Sequence, residues 1–192
     1  ILTDGNQLSP IARKDGIPYV QSKYDAYVAI RESSWSEKTI TLFPTVVLGG
    51  DSTHPHSHIS TGFLRIKKIM RWLRWLRLDG AFHFLHARDI AKVTVACLEA
   101  KDIEQDIVLG NPELSFSGTL KSICDCLNIK QWIKIPISNS VILWIIKLFR
   151  LKVDNWAKHC IRNPYFRYKV HSPKDFDLPV SYPSIADVLN EN

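Results

Sequence analysis

The sequence predicts an α/β chain: strands pairing in parallel and alternating with helices, then a smaller, mostly helical C-terminal part. Three observations lead there. Short β-branched or apolar runs such as "TITLFPTVV", "AFHFLH", "DIVLG" and "QWIKIPI" alternate with longer stretches of helical periodicity. The strands are few and the helices crowd the C-terminal half, so the sheet reads as incomplete. At 192 residues, 45% hydrophobic and 23% charged, the chain has the composition of a globular domain, or of one domain plus part of another.

Taken in order, residues 1–17 are polar and rich in turn formers. Pro18 suits the first turn of a helix that runs to about Ser33. "KTITLFPTVVLGG" begins as a strand that Pro44 and the Gly49–Gly50 pair interrupt, and "DSTHPHSHIS" is a loop. A long basic amphipathic helix is expected from about Ile59 to Leu78, stopping before Gly80. "AFHFLH" is a short strand, and Asp89 is placed to cap the helix "IAKVTVACLEA". "QDIVLGN" is another strand, Ser117 starts a helix to about Asn128, and "QWIKIPI" is extended. An apolar helix from Ser138 to Arg150 is expected to be a core helix, with a less regular polar helix after it. The tail, with Pro164, Pro173, Pro179 and Pro183, is mostly loop before a short helix at Ile185–Leu189.

Composition excludes several classes. The longest apolar run, "VILWIIKLF", is too short for a membrane span of about 20 residues. Net charge is +6, but much of the excess sits in one segment, and no nucleic-acid partner is expected. Cys97, Cys124, Cys126 and Cys160 lack zinc-type or small-secreted-domain spacing and are read as structural thiols. No signal peptide is visible, and a cytoplasmic location is expected.

The chemistry-bearing motif is "PYVQSKYDAY". Tyr19 and Lys23 are four apart and share a helix face. A free phenol titrates near pH 10, too high for an efficient base at neutral pH; an ammonium beside a phenol favours the phenolate and can also donate hydrogen bonds to a ribose. Tyr165 and Lys169 have the same spacing in "RNPYFRYKVHSP". That segment lies between prolines, where a helix in register is not expected, so it is read as a decoy.

"YVQSK", "LFPTVVLGG", "FHFLHARDIAKVTVACLEA" and "IVLGNPELSFSGTLKSICDCL" together, in that order, resemble the C-terminal two-thirds of an extended short-chain dehydrogenase/reductase, the NAD-dependent epimerase/dehydratase superfamily. The resemblance covers residues 15–130 well and the tail loosely. It implies a Rossmann-type sheet: residues 1–135 as the rear part of the NAD(P)-binding domain with interleaved substrate segments, and 136–192 as a helical substrate region. It also implies NAD or NADP as cofactor, a small-molecule substrate, and room for a homodimer. Tyr19 would be the acid/base at a substrate hydroxyl or carbonyl, and Lys23 its activator and the holder of the nicotinamide ribose. Pro44 and Thr45 would pack beside the nicotinamide ring, with the backbone near Val47 meeting the carboxamide. His86, before "ARD", matches a common family histidine. The helix carrying Arg71 and Arg74 would border the substrate cleft.

Departures from the family pattern refine the expectation. Phe43 and Val46 stand where nucleotide-sugar epimerases usually have Arg and Asn. The Pro-Thr-aliphatic-aliphatic run is more similar to the dihydroflavonol-reductase and 3β-hydroxysteroid-dehydrogenase branch. No Gly-x-x-Gly-x-x-Gly loop after a strand occurs, and the family's catalytic Ser/Thr has no match, so the chain is expected to be the rear part of a longer enzyme. The expected reaction is NAD(P)-dependent hydride transfer at a secondary alcohol or ketone. Its rivals are a nucleotide-sugar epimerase or dehydratase of the same superfamily, and a non-catalytic domain that binds a partner or membrane through its basic helix.

Two features keep plainer readings. In the basic helix, Ile66, Ile69, Met70, Leu73 and Leu76 share one face, and Lys67, Lys68, Arg71 and Arg74 gather opposite. A core-packed helix with a solvated basic face is preferred over contact with an anionic substrate group, and both over contact with an anionic membrane surface. His54, His56 and His58 alternate, but no carboxylate or Cys lies close in sequence, and no metal site is expected.

Overall fold

Pro18 and the stripe that follows it fix the first long element. In a computed structural model describing residues 1–3, 5–49, 70–100 and 102–191, helix α2 (Pro18–Arg31) follows a short helix α1 (Pro10–Asp15). The reading of residues 1–17 as turns missed α1, although Ser9 before Pro10 is a helix-start signal. The next run changes partner halfway. β1 (Thr41–Pro44) pairs in parallel with β6 (Asp106–Leu109), and β2 (Val46–Leu48) in parallel with β5 (Phe84–His86). Thr45 joins the two: its N–H donates to Leu109 O at 3.0 Å, and Val46 N–H donates to His83 O at 3.1 Å.

The sheet is covered on both faces. On one, the Tyr27 ring meets Phe43 with centroids 5.3 Å apart, and Arg31 Nη2 donates to Thr41 Oγ1 at 2.9 Å. Tyr27 Oη and Arg31 also both bond the Asp106 carboxylate, so α2 is anchored to the first residue of β6. On the other, Ile40, Leu42, Ile107 and Leu109 pack with Val93 and Cys97 of α3 (Ala87–Glu99). Strand alternation accounts for the split. In β5, Leu85 enters this cluster, while Phe84 enters a second one with Leu48, Met70, Leu120, Ile123 and Val188. The second cluster is closed by α4 (Phe116–Cys126) against α7 (Ile185–Glu191).

Most of the basic helix, and the His54, His56 and His58 loop, lie outside the described residues. Where it emerges, the helix runs only over 70–73. Met70 is buried and Leu73 packs beside it, as the apolar face requires. The expected continuation to Leu78 is corrected: Leu76–Leu78 is β3, parallel to β8 (Ile135–Ile137). The cause is non-local, since Ile135 N–H donates to Trp75 O at 2.7 Å and captures the chain as a strand. A short antiparallel pair, β4 (Ala81–Phe82) with β7 (Leu114–Ser115), follows a tight approach at Gly80. There φ is +134°, and a Cβ would sit 2.7 Å from Pro164 O, which requires glycine.

Two further readings are corrected. The cap of α3 is His86, whose Nδ1 accepts from Arg88 N–H at 3.1 Å. Asp89, read as the cap, is fully buried in the first turn. Its two oxygens accept from Ser181 N–H at 3.0 Å each, and Lys92 Nζ lies 3.4 Å away. The apolar helix, α5 (Asn139–Leu148), buries no residue and packs against α6 (Asn155–Arg162) at the surface.

The tail is more than a loop. Phe166 N–H donates to Ala81 O, Tyr168 N–H to His83 Nε2, and His171 N–H to Val108 O. His83 Nδ1 faces Asn111 O at 2.9 Å, so the ring bridges two backbone groups. Tyr165–Ser172 therefore runs as an extended strap over the strands, which Asp89 pins again at Ser181.

Candidate active site

Tyr19 and Lys23 stand at the start of α2, with Lys23 Nζ 5.5 Å from the centroid of the Tyr19 ring. Both are exposed, Tyr19 at 67%. Their position relative to the sheet follows from the far end of the same stripe. Tyr19, Lys23, Tyr27 and Arg31 recur every four residues, drifting about 40° around the helix per step. Arg31 sits over Thr41 and Tyr27 over Phe43, so α2 runs antiparallel to β1. Tyr19, eight residues before Tyr27 and about 12 Å along the axis, lies toward the carboxyl end of β1. In open parallel sheets, ligands bind beyond that end.

The chain continues from β1 through Thr45 into β2. Pro44, Val46 and Val47 are exposed, Val46 on the sheet face of Phe84 and Val47 on that of Leu85. Thr45 is half-buried. Its hydroxyl donates to Leu109 O at 2.9 Å, as its own N–H does, so it holds the chain at the change of partners and retains lone pairs as acceptors. Tyr27, which sequence reasoning passed over, is held protonated. Partial burial and then its hydrogen bond to Asp106 raise its pKa above the ordinary phenol value. Arg31 is held charged, since its bonds to Asp106 and Tyr27 outweigh the burial that opposes them. The signal that could have found both was the four-residue stripe continuing past Lys23.

The other expected site residues lie elsewhere. His86 is buried, its ring 3.9 Å from that of Tyr182, and it caps α3. Arg71 and Arg74 line a cleft of about 690 Å³ with Lys130, Trp75 and Trp132. The Arg74 guanidinium lies 4.5 Å over the Trp75 ring, while its Nη1 reaches Lys130 O at 3.4 Å. Such a cleft can hold a planar or anionic group. Tyr165, in the decoy pair, is extended, with Arg167 rather than Lys169 over its ring at 4.7 Å. Among the described residues no group of His, Cys, Asp or Glu could hold a metal ion.

No protein-family model matches the chain, and no curated protein sequence does. Solved structures do. The chain superposes over 99% of its length on the protein gox2253, at 15% identity and a TM-score of 0.62. It superposes over its full length on a nucleoside-diphosphate-sugar epimerase from Pseudomonas aeruginosa (16%, TM-score 0.62) and on the human epimerase family protein SDR39U1, isoform 2, with NADPH (17%, TM-score 0.57). It spans 60%, 59% and 59% of those chains. At these identities the likeness establishes the fold, a Rossmann-like α/β arrangement.

Proposed function

We propose that this chain carries the proton-transfer half of an NAD(P)-dependent oxidoreductase or epimerase. The observation that carries the reading is the Tyr19–Lys23 pair, in register on one helix face at the carboxyl end of a parallel strand. The fold shared with an epimerase and with an NADPH-bound relative supports it.

The residues present fit one half of a nicotinamide dinucleotide. Lys23 offers an exposed ammonium to ribose hydroxyls, and Pro44 and Val46, two apart along the chain, offer exposed apolar side chains to a planar ring. The sequence contains no glycine-rich strand–loop–helix segment for the pyrophosphate. When bound, a nicotinamide cofactor supplies or accepts the hydride. Tyr19 donates its phenolic proton to a carbonyl oxygen as negative charge develops there, or takes the proton of an alcohol in the reverse direction. Lys23 stabilises the phenolate through its charge. The Pro44-Thr45-Val46-Val47 run favours a secondary alcohol or ketone as substrate and the dihydroflavonol-reductase and hydroxysteroid-dehydrogenase branch. The second reading, a nucleoside-diphosphate-sugar substrate, is favoured by the Pseudomonas aeruginosa relative and by the basic cleft at Arg71 and Arg74.

The test is turnover in the full protein, with ketones and nucleotide sugars assayed in parallel. Tyr19→Phe is expected to cut turnover about 10²–10⁴-fold with the fold intact. Unchanged turnover would remove Tyr19 from the chemistry.

A further inference from the structure

We propose that Asp106, Tyr27 and Arg31 are positioning residues, a clamp that sets where α2 delivers Tyr19 and Lys23 at the carboxyl end of the sheet. The proposal rests on the proton-transfer reading of that pair and says what aims it. The need for a clamp follows from the helix itself. α2 buries no residue, so no side chain sunk in the core fixes its rotation or its slide along the sheet. Among the described residues, its side-chain hydrogen bonds to β1 and β6 come from Tyr27 and Arg31.

The Asp106 carboxylate takes one bond on each oxygen. Oδ2 accepts from Tyr27 Oη at 2.7 Å, and Oδ1 accepts from Arg31 Nη2. Arg31 spreads its fork further, donating to Thr41 Oγ1 at 2.9 Å, Gln105 O at 3.0 Å and Ser36 O at 3.1 Å. Its guanidinium also lies 5.3 Å over the Tyr27 ring, which meets Phe43 in a T. Thr41 thereby fixes the slide along β1, and two residues four apart on one face fix the turn about the axis. That face is the stripe that carries Tyr19 and Lys23. About 12 Å of helix separate Tyr19 from Tyr27, a range at which physiological salt screens most of the charge of Asp106. At the outer radius of a helix, about 5–6 Å, a turn of about 10° carries a side-chain tip about 1 Å. A misplacement of about 1 Å can cost about 10²-fold in rate. The spacing of Tyr19 to Lys23 belongs to the helix and does not change when the helix turns. Loosening the clamp therefore moves the pair against the substrate without altering the charge each feels from the other.

The experiment is steady-state kinetics on the full protein with Asp106→Ala, Asp106→Asn, Tyr27→Phe and Tyr19→Phe, each over a range of pH. Asp106→Ala is expected to lower kcat about 10–10²-fold and to leave the pH at which turnover falls off in place. Asp106→Asn, which keeps an acceptor for Arg31, should recover part of that loss. Tyr27→Phe, which keeps the ring on Phe43, should lose turnover to a smaller extent. A lowered melting temperature with kcat per folded molecule unchanged makes Asp106 a stability residue and overturns the proposal. So does a shifted pH limb in Asp106→Ala, which would mean a charge effect on the phenol. If Asp106→Ala does not fold, Tyr27→Phe decides in its place, and full turnover there overturns the clamp. Tyr19→Phe separates the clamp from the reading it rests on. Normal turnover in that variant removes both, whereas an inactive Tyr19→Phe beside a fully active Asp106→Ala removes the clamp alone.

Discussion

At the residue scale, Tyr19 and Lys23 carry their polar atoms into solvent, and few contacts of their own hold them. Their arrangement is a property of the helix, so single substitutions should act on chemistry and leave folding alone. Lys23→Met is expected to lower turnover and to raise the KM for the cofactor, because it removes both the charge near the phenol and the donor for a ribose. Tyr165→Phe is expected to change neither, since its segment is extended and Lys169 does not cover the ring. Steady-state kinetics on the two variants compares the pairs directly, and damage from Tyr165→Phe would mean that the wrong tyrosine has been chosen. Asp89 is the opposite case. It is fully buried and accepts the one Ser181 N–H on both oxygens, so Asp89→Ala should cost about 1–3 kcal/mol in a denaturant titration by leaving that part-buried donor unpaired. Tyr19 was legible in the sequence because its partner is four residues away. The role of Asp89 was not, because Ser181 is 92 residues on and no local pattern announces it.

The same contrast between near and distant partners governs the elements. Helices α2, α3 and α4 and strands β1, β2 and β6 follow from periodicity, prolines and caps, and the structure moves their ends by only a few residues. The conversion of Leu76–Leu78 from helix to strand depends on Ile135 N–H reaching Trp75 O, which the helical face of Leu73 and Leu76 concealed. The strap was read as loop because its prolines forbid helix and its pairing is with Ala81 and Val108, far back in the chain. Its next turn carries a pH dependence. Asp175 accepts from Ser172 N–H at 2.7 Å and from Ser172 Oγ at 3.1 Å; the backbone bond first, and the hydroxyl bond after it, hold its pKa below the ordinary carboxylate value against burial, which opposes them. A carboxyl depressed on folding stabilises the fold above its unfolded pKa and ceases to as pH falls through the folded one. Hydrogen exchange at the Ser172 amide, taken relative to its intrinsic rate at each pH, should therefore accelerate below about pH 4, the ordinary carboxylate range. In Asp175→Asn it should already be faster at neutral pH, with that acid-dependent step absent. An unchanged step in the variant would assign it to another carboxyl.

For the whole molecule, the unfinished feature is the sheet. Thr41 and Thr45 N–H donate to Gln105 O and Leu109 O, so by the parallel pattern Phe43 also bonds β6, and Leu42 points its N–H and C=O to the other side. No described strand pairs with that side of β1. Under the proposed function, a chain spanning about three-fifths of its structural neighbours, with no described strand on that edge of β1, would supply the nicotinamide side of a binding site without the pyrophosphate side. Pyrophosphate is held by backbone N–H groups at a glycine-rich helix start, and those contacts anchor a dinucleotide more strongly than exposed apolar side chains and one ammonium can. The 192-residue chain by itself is therefore expected to bind NADH and NADPH weakly or not at all by calorimetry, with no preference between them. In the same sample, exchange at the Leu42 amide should be fast and at Phe43 slow. Micromolar binding by this chain would mean that its own residues hold the pyrophosphate. The division of labour proposed for Tyr19 and Lys23 would then have to be redrawn around whichever of its cations, Arg71 and Arg74 first, supply that contact.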